Sequence, residues 1–162
     1  MRKRLISTPE RTDSSLAYVW LDLGQAALVE VSSEADGYPV EGALLPGRAQ
    51  GWRAGTLGTQ IIRLLFDRPQ TIRTIRLVFK ESEVPRTQEL VLRWLPHGTM
   101  SWKDVVRQQW NFSPPQAVEE VEEYLVDLSS AVALELSIEP DISQGGIRAS
   151  LEKLQLSARE EE

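Results

Sequence analysis

The chain has 162 residues, 41% of them hydrophobic and 26% charged, which is the composition of one ordinary globular domain. Its formal net charge of −6 disfavours nucleic acid as a partner, because the compact basic cluster is confined to residues 2–4. The absence of cysteine excludes disulfides and thiolate chemistry, and no run reaches the roughly 20 apolar residues of a membrane span.

The first 60 residues predict a lead-in, two short strands and a long connection. Residues 1–15 are polar and aperiodic, which predicts a flexible lead-in without the apolar segment of a signal peptide. That absence, together with the absence of cysteine, favours a cytoplasmic location. Apolar runs at residues 16–23 and 28–33 predict strands, and the glycines and prolines of residues 34–60 exclude long regular elements there.

Period-two alternation of apolar residues predicts strands along the rest of the chain. Turn signals at residues 67–69 and 96–98 separate the strands, and the glutamates of residues 117–123 also suit a helical turn. About eight or nine strands predict one all-β sandwich or barrel over residues 16–157, followed by a solvated tail at 158–162. The alternating sets are Ile62, Leu64 and Phe66; Ile75, Leu77 and Phe79; Leu90, Leu92 and Trp94; Tyr124, Val126 and Leu128; and Val132, Leu134, Leu136 and Ile138, with a final strand at residues 150–156.

Several spaced features resemble one known family. They are the segment Ala43-Leu44-Leu45-Pro46-Gly47 followed by Trp52, the paired strands at 61–66 and 72–79, the turn at 96–102 that ends in Trp102, and the closing strand at 149–156. In combination, over residues 43–157, they resemble discoidin-like domains, also called factor V/VIII type C or galactose-binding-like domains. The resemblance implies an eight-stranded jelly-roll β-sandwich that binds a sugar, a lipid or a protein through loops at one end.

The resemblance also indicates where a structural calcium is held in many members, through an Asp just before the glycine and a Glu in the closing strand. In this sequence those places are taken by Pro46 and Lys153. Neither residue supplies the carboxylate oxygens that calcium prefers. We therefore expect no metal at this position, and we expect no cofactor.

The sequence contains no arrangement that predicts catalysis. His97 is the single histidine, and no serine stands in a Gly-x-Ser-x-Gly elbow. The acidic run Glu119, Glu120, Glu122 and Glu123 is typical of a solvated surface rather than of paired catalytic carboxylates. The protein is therefore predicted not to be an enzyme.

The candidate ligand-binding residues lie in the predicted loops at 46–55, 96–100 and 108–113. The ring of Trp110 is the best candidate for exposure and for stacking on a sugar, although packing within a strand explains it equally well. Trp52, Trp94 and Trp102 are interpreted as structural. The candidates are Arg48, Gln50, Arg53, His97, Trp110 and Asn111.

The polar candidates have ordinary interpretations as well. The arginines either form a polar rim around a sugar or pair with the surplus carboxylates, and His97 either contacts a sugar hydroxyl or is a common turn residue. The leading hypothesis is a non-catalytic carbohydrate-binding module. The alternative is a protein–protein interaction module or a homo-oligomer without a sugar ligand. The absence of a recognisable signal peptide favours this alternative, because a protein inside the cell has little reason to meet polysaccharide. Membrane attachment is less supported, because no pair of large apolar residues stands out in the first two loops.

Overall fold

The structure is a computed structural model that describes residues 19–143 and 145–158. The lead-in predicted at residues 1–15 and residues 159–162 of the predicted tail lie outside the described residues. Within the described ranges, no helix is long and apolar enough to cross a membrane.

Antiparallel strands dominate the described chain, as the alternating pattern predicts. The two helices within the described residues are single turns, α1 (Leu23–Ala26) and α2 (Glu41–Leu44). The strands are β1 (Ala27–Val31), β2 (Trp52–Arg53), β3 (Gln60–Lys80), β4 (Arg86–Pro96), β5 (Lys103–Phe112), β6 (Glu119–Glu139), β7 (Ser150–Leu151) and β8 (Lys153–Ser157).

Two long strands, β3 and β6, pair with each other and contribute to both layers of the sandwich. Register shifts between Leu65 and Thr74 interrupt their ladder, where Pro69 lacks an N–H donor and Ser130 has a left-handed φ of 55°. The turn predicted at residues 67–69 is therefore wrong, because these residues form a bend within one continuous strand. The strands predicted at 124–128 and 132–138 are likewise two halves of β6.

Each half of the long strands has its own neighbours. The first half of β3 and the second half of β6 lie in a five-stranded layer with the order β1-β3-β6-β4-β5. The other halves lie in a three-stranded layer with the order β8-β3-β6. The short strands β2 and β7 form a separate two-stranded ribbon, in which Trp52 pairs with Leu151.

The hydrophobic core lies between the two layers. Alternation along β3 turns Ile62 and Leu64 inward from the five-stranded layer, and Leu77 and Phe79 inward from the three-stranded layer, so that all four are buried. These side chains belong to one continuous cluster of buried residues. The predicted all-β sandwich is confirmed.

Three local expectations are wrong. Residues 19–22 of the first predicted strand form only an isolated bridge at Trp20, residue 23 begins α1, and residues 16–18 lie outside the described residues. Residues 108–113 are not a loop, because residues 103–112 form β5. Residues 119–123 form a strand rather than a helical turn, since β3 provides an antiparallel partner.

The sandwich has two distinct ends. The loop end consists of residues 32–59, 81–85, 113–118, 140–143 and 145–149, which connect the strands where Gln60 pairs with Ile138 and Arg86 with Phe112. The bend end consists of the bends in β3 and β6 and the β4–β5 hairpin, whose His97 N–H donates to the Ser130 carbonyl at 2.8 Å. Connections at opposite ends are separated by the full length of the strands.

Candidate functional site

The loop end carries a polar depression of about 510 Å3, here called the end depression. One side is the β2–β7 ribbon, and the facing wall is the connection between β3 and β4 at residues 81–84. The polar and charged side chains that line it include those of Tyr38, Gln50, Arg53, Lys80, Glu81, Glu83, Arg148 and Glu152.

The ribbon side is held in place by close backbone packing over a buried tryptophan. Trp52 is buried, and its indole Nε1 donates to the Ser33 carbonyl at 2.9 Å, which ties the ribbon to the long connection. A Cβ on Gly51 would lie 2.4 Å from the carbonyl oxygen of Leu151, so this close approach of two backbones requires glycine.

Arg53 is positioned by Tyr38 from the long connection. The Arg53 backbone N–H donates to the Tyr38 carbonyl at 3.2 Å, and its guanidinium carbon lies 4.7 Å from the centre of the Tyr38 ring. This cation–π contact orients the guanidinium without consuming its hydrogen-bond donors in an ion pair. The side chain of Arg53 is therefore exposed but already directed.

The facing wall is held by a carboxylate. Glu81 accepts hydrogen bonds from the backbone N–H groups of Glu83 at 3.0 Å and Val84 at 3.2 Å, and from Arg86 Nε at 2.8 Å. Burial opposes ionisation of Glu81, but the hydrogen bonds from Arg86 and the two amides outweigh it and lower the pKa. The Arg86 side chain is fully buried and stacks on Phe112, with its guanidinium carbon 4.6 Å from the ring centre.

The end depression combines free donors with free acceptors. Within residues 19–143 and 145–158, neither Arg53 nor Arg148 has a carboxylate at ion-pair distance, although the chain carries an excess of acidic residues. Glu83 and Glu152, on the same depression, are also without an ion-pair partner in these ranges. Side chains of both kinds are thus available to a ligand that both donates and accepts hydrogen bonds.

A second depression of about 380 Å3 lies on the outer face of the five-stranded layer. Both of its arginines are already paired: Arg93 Nη2 donates to Glu135 at 2.5 Å, and Arg107 Nη1 donates to Glu89 at 2.6 Å. Burial opposes ionisation of Glu135, but hydrogen bonds from Arg93 and Arg63 outweigh it and lower the pKa. This face therefore offers fewer free groups to a ligand than the end depression does.

The predicted site residues do not come together. Gln50 and Arg53 line the end depression, and Arg48 is exposed on the same connection. His97 is exposed at the bend end, roughly 30 Å away by the length of β4 at about 3.3 Å per residue. The expectation that all three predicted loops meet at one end is wrong, because antiparallel strands carry successive connections to opposite ends.

The two candidates near the end of β5 are occupied by contacts within the protein. Trp110 faces inward, packs partly buried against the core, and meets Phe112 edge-on at 6.5 Å between ring centres. Of the two interpretations of Trp110, the structure supports packing within a strand. Asn111 points outward, and its side-chain oxygen accepts a hydrogen bond from the Thr87 hydroxyl at 2.7 Å.

Sequence reasoning missed Tyr38, Arg148 and the wall formed by residues 81–84. Tyr38 stands between Gly37 and Pro39 in the long connection, a turn signal that marked the region without selecting the ring. Arg148 follows a glycine pair and lies two residues before β7. Pairing of β7 with β2, more than 90 residues away in the sequence by their ranges, brings it beside Arg53.

The residues in the place of the family's calcium ligands do not fit a metal ion. Lys153 lies in β8 opposite Val78 of β3, and Pro46 follows α2. Across the described part of the chain, no three His, Asp or Glu side chains are grouped as a metal ion requires. That the protein binds no calcium stays a prediction.

No protein-family model matches the sequence, and no curated protein matches it significantly. Solved structures do match. CpGH89CBM32-5 from Clostridium perfringens, in complex with GalNAc-β-1,3-galactose, is 15% identical with a TM-score of 0.62, over 86% of this chain and 100% of that chain. The family 32 carbohydrate-binding module of C. perfringens NanJ, in complex with galactose, is 15% identical with a TM-score of 0.59, over 85% and 96%.

A third match is the N-terminal domain of the single-strand break repair protein XRCC1, which is 13% identical with a TM-score of 0.57, over 82% of this chain and 98% of that chain. Relatives with different roles thus share one architecture, and the architecture by itself does not select a ligand. The chain has the discoidin-like, galactose-binding-like fold that its sequence predicts, in the form seen in family 32 carbohydrate-binding modules.

Proposed function

We propose that the protein is a non-catalytic carbohydrate-binding module whose ligand occupies the end depression. The observation that carries the proposal is the pair Arg53 and Arg148, two guanidiniums without ion-pair partners in the described residues, on the same depression as the unpaired carboxylates of Glu83 and Glu152. Sugar hydroxyl groups donate and accept hydrogen bonds at once, so they match a surface that offers both kinds of partner.

The charge balance of the depression favours a neutral sugar over a uronic acid. Lys80, Arg53 and Arg148 are countered by Glu81, Glu83 and Glu152, so the depression has no net positive field. The contact between Arg53 and Tyr38 orients one donor in advance, which lowers the entropy lost when a ligand binds. The discoidin-like fold supports the proposal, since solved relatives are carbohydrate-binding modules in complex with galactose or GalNAc-β-1,3-galactose.

The test begins with a glycan array and continues with calorimetry on the best neutral sugar. Arg53→Ala and Arg148→Ala should each weaken binding about tenfold or more, since a hydrogen bond to a charged group contributes roughly 1.5–3 kcal/mol. Arg68→Ala is the matched control, because Arg68 is an exposed arginine in the bend of β3 and should leave binding unchanged. Binding that survives both substitutions, or that Arg68→Ala weakens equally, contradicts the proposal.

A second candidate function is a protein-interaction module, which one observation favours. Trp102 lies against two guanidiniums on the outer face of the five-stranded layer, with the guanidinium carbons of Arg63 and Arg93 each 5.8 Å from the ring centre. Tryptophan and arginine are the residues most enriched at the energetic centres of protein interfaces. An array without hits, together with a dimer in light scattering, would favour this candidate.

A further inference from the structure

A cluster of polar side chains is buried between the two layers, next to the wall of the end depression. Arg86, Gln88 and Glu120 are each less than 5% exposed. Arg86 Nη1 donates to Gln88 Oε1 at 3.0 Å and to the Pro140 carbonyl at 2.9 Å. Gln88 Nε2 in turn donates to Glu120 Oε1 at 3.2 Å, so Gln88 connects the arginine to the carboxyl group.

Two atoms of this cluster have no hydrogen-bond partner in the described residues, Arg86 Nη2 and Glu120 Oε2. A buried carboxylate with a single hydrogen bond is costly, so Glu120 keeps its proton where an exposed glutamate loses it. Burial and the neighbouring Glu122 carboxyl, which lies on the same face of β6, raise the pKa of Glu120 to about 8. Burial and the same two carboxyl groups also raise the pKa of Tyr124.

The charged groups around Glu120 come from few elements. Glu122 acts from its own strand and Arg86 from β4, and beyond Arg86 lie Glu81 and Asp141. The inward positions of the other strands that face the cluster are uncharged. In the described ranges these are Ile75, Leu77 and Phe79 of β3, Leu154 and Leu156 of β8, and Gln108, Trp110 and Phe112 of β5.

We propose that Arg86 is shared between two carboxyl groups, Glu81 in the wall of the end depression and Glu120 in the core, and that the proton on Glu120 decides the choice. While Glu120 is protonated, Arg86 Nε pairs with Glu81 Oε1, and Glu81 Oε2 accepts from the amides of Glu83 and Val84. The wall at residues 81–84 is then held in the arrangement described above.

When Glu120 releases its proton to solvent, its charge is buried with no cation paired to it. Arg86 is the cation of the cluster, and its Nη2 is free. A movement of the guanidinium toward Glu120 satisfies both buried groups and gives up the bond to Glu81. The wall therefore loosens as the pH rises through the titration of Glu120. This inference concerns the wall alone and does not depend on which ligand the depression binds.

The test follows the side-chain carboxyl carbon of Glu81 by 13C NMR between pH 6 and pH 9.5. Glu81 itself stays ionised throughout this range, because its pKa is lowered. We expect the Glu81 resonance to shift with the midpoint of Glu120, and the shift to vanish in Glu120→Gln. Glu119→Gln is the matched control, because Glu119 is exposed on the opposite face of the same strand and should keep the shift.

Three outcomes would overturn the inference: a Glu81 resonance that does not move in the unsubstituted protein, a shift that persists in Glu120→Gln, or a shift that Glu119→Gln also removes. Glu122→Gln gives an independent result should Glu120→Gln fail to fold. Removing the neighbouring Glu122 carboxyl should lower the pKa of Glu120, so the pH at which the Glu81 resonance is half shifted should fall. An unchanged midpoint of that shift would count against the proposal.

Discussion

Replacing Glu120 by glutamine should remove a pH-dependent loss of stability, because the amide matches the protonated carboxyl in shape but cannot ionise. The folded protein holds a proton on Glu120 up to about pH 8, whereas the unfolded chain releases it near the ordinary value of 4.5. Between these values the folded state binds more protons than the unfolded state, so the free energy of unfolding falls as the pH rises.

The magnitude follows from the two pKa values. Moving the pKa of Glu120 from 4.5 to about 8 corresponds to at most about 5 kcal/mol, since each pH unit in this window contributes up to about 1.4 kcal/mol. Below pH 5 the two proteins should have similar stability. Above pH 8 Glu120→Gln should be the more stable, by an amount that relaxation of Arg86 toward Glu120 reduces.

The assay is thermal unfolding at intervals from pH 5 to pH 9, with the difference in Tm between Glu120→Gln and the unsubstituted protein as the readout. A difference of a few kcal/mol at pH 9 corresponds to roughly 5–10 °C for a chain of this length. Glu119→Gln should show no difference in Tm that grows with pH, because Glu119 is exposed and its ion pair with Lys80, at 4.0 Å, is solvated and weak. The reasoning is refuted if the difference for Glu120→Gln is the same at pH 5 and pH 9.

Two further substitutions test the packing around the candidate sites. Gly51→Ala should destabilise the protein by roughly 1–3 kcal/mol in urea unfolding, because the new Cβ meets the Leu151 carbonyl, whereas Gly145→Ala, with open space around it, should be nearly neutral. Glu135→Ala should cost about 1–2 kcal/mol at pH 7, since among the described residues it leaves Arg93 without an ion-pair partner and Arg63 with Glu30 alone. The cost should shrink as the pH falls through the lowered pKa of Glu135. Glu30→Ala is the control, because Glu30 is half-exposed and its removal leaves Glu135 paired with both arginines. Equal effects of the site variant and its control would contradict either prediction.

The strands that the sequence predicts are those that bury one aliphatic face. Ile62 and Leu64, or Leu134 and Leu136, alternate with polar residues because one side of the layer faces the core. β5 lacks this signal, since it is an edge strand whose inward positions include Gln108 and Trp110. The continuity of β3 through Pro69 is also invisible locally, because only pairing with β6 on both sides of the bend shows that the strand continues.

The candidate site is predictable from the sequence only in part, because strand pairing between distant segments brings its residues together. Gln50 and Arg53 belong to the long connection, which its glycines and prolines mark as an irregular surface segment. Arg148 joins them through a ribbon of two-residue strands, which is too short to leave a periodic pattern. His97 is separated from this group because the antiparallel path of β4 carries its turn to the bend end, and the composition of a turn does not indicate at which end of the sandwich it lies.

The inward position of Glu120 is visible in the alternation of the sequence. Tyr124, Val126 and Leu128 were predicted as one face of a strand, and extending that period of two toward the N-terminus places Glu122 and Glu120 on the same inward face. The composition of the acidic run predicts a solvated surface, which is wrong for Glu120 because its phase relative to Tyr124 places it on the inward face. A carboxyl group in phase with a buried apolar face must be neutralised by a proton or by a cation. In this protein both are present, a proton on Glu120 and the guanidinium of Arg86, and the choice between them links the core to the wall of the end depression.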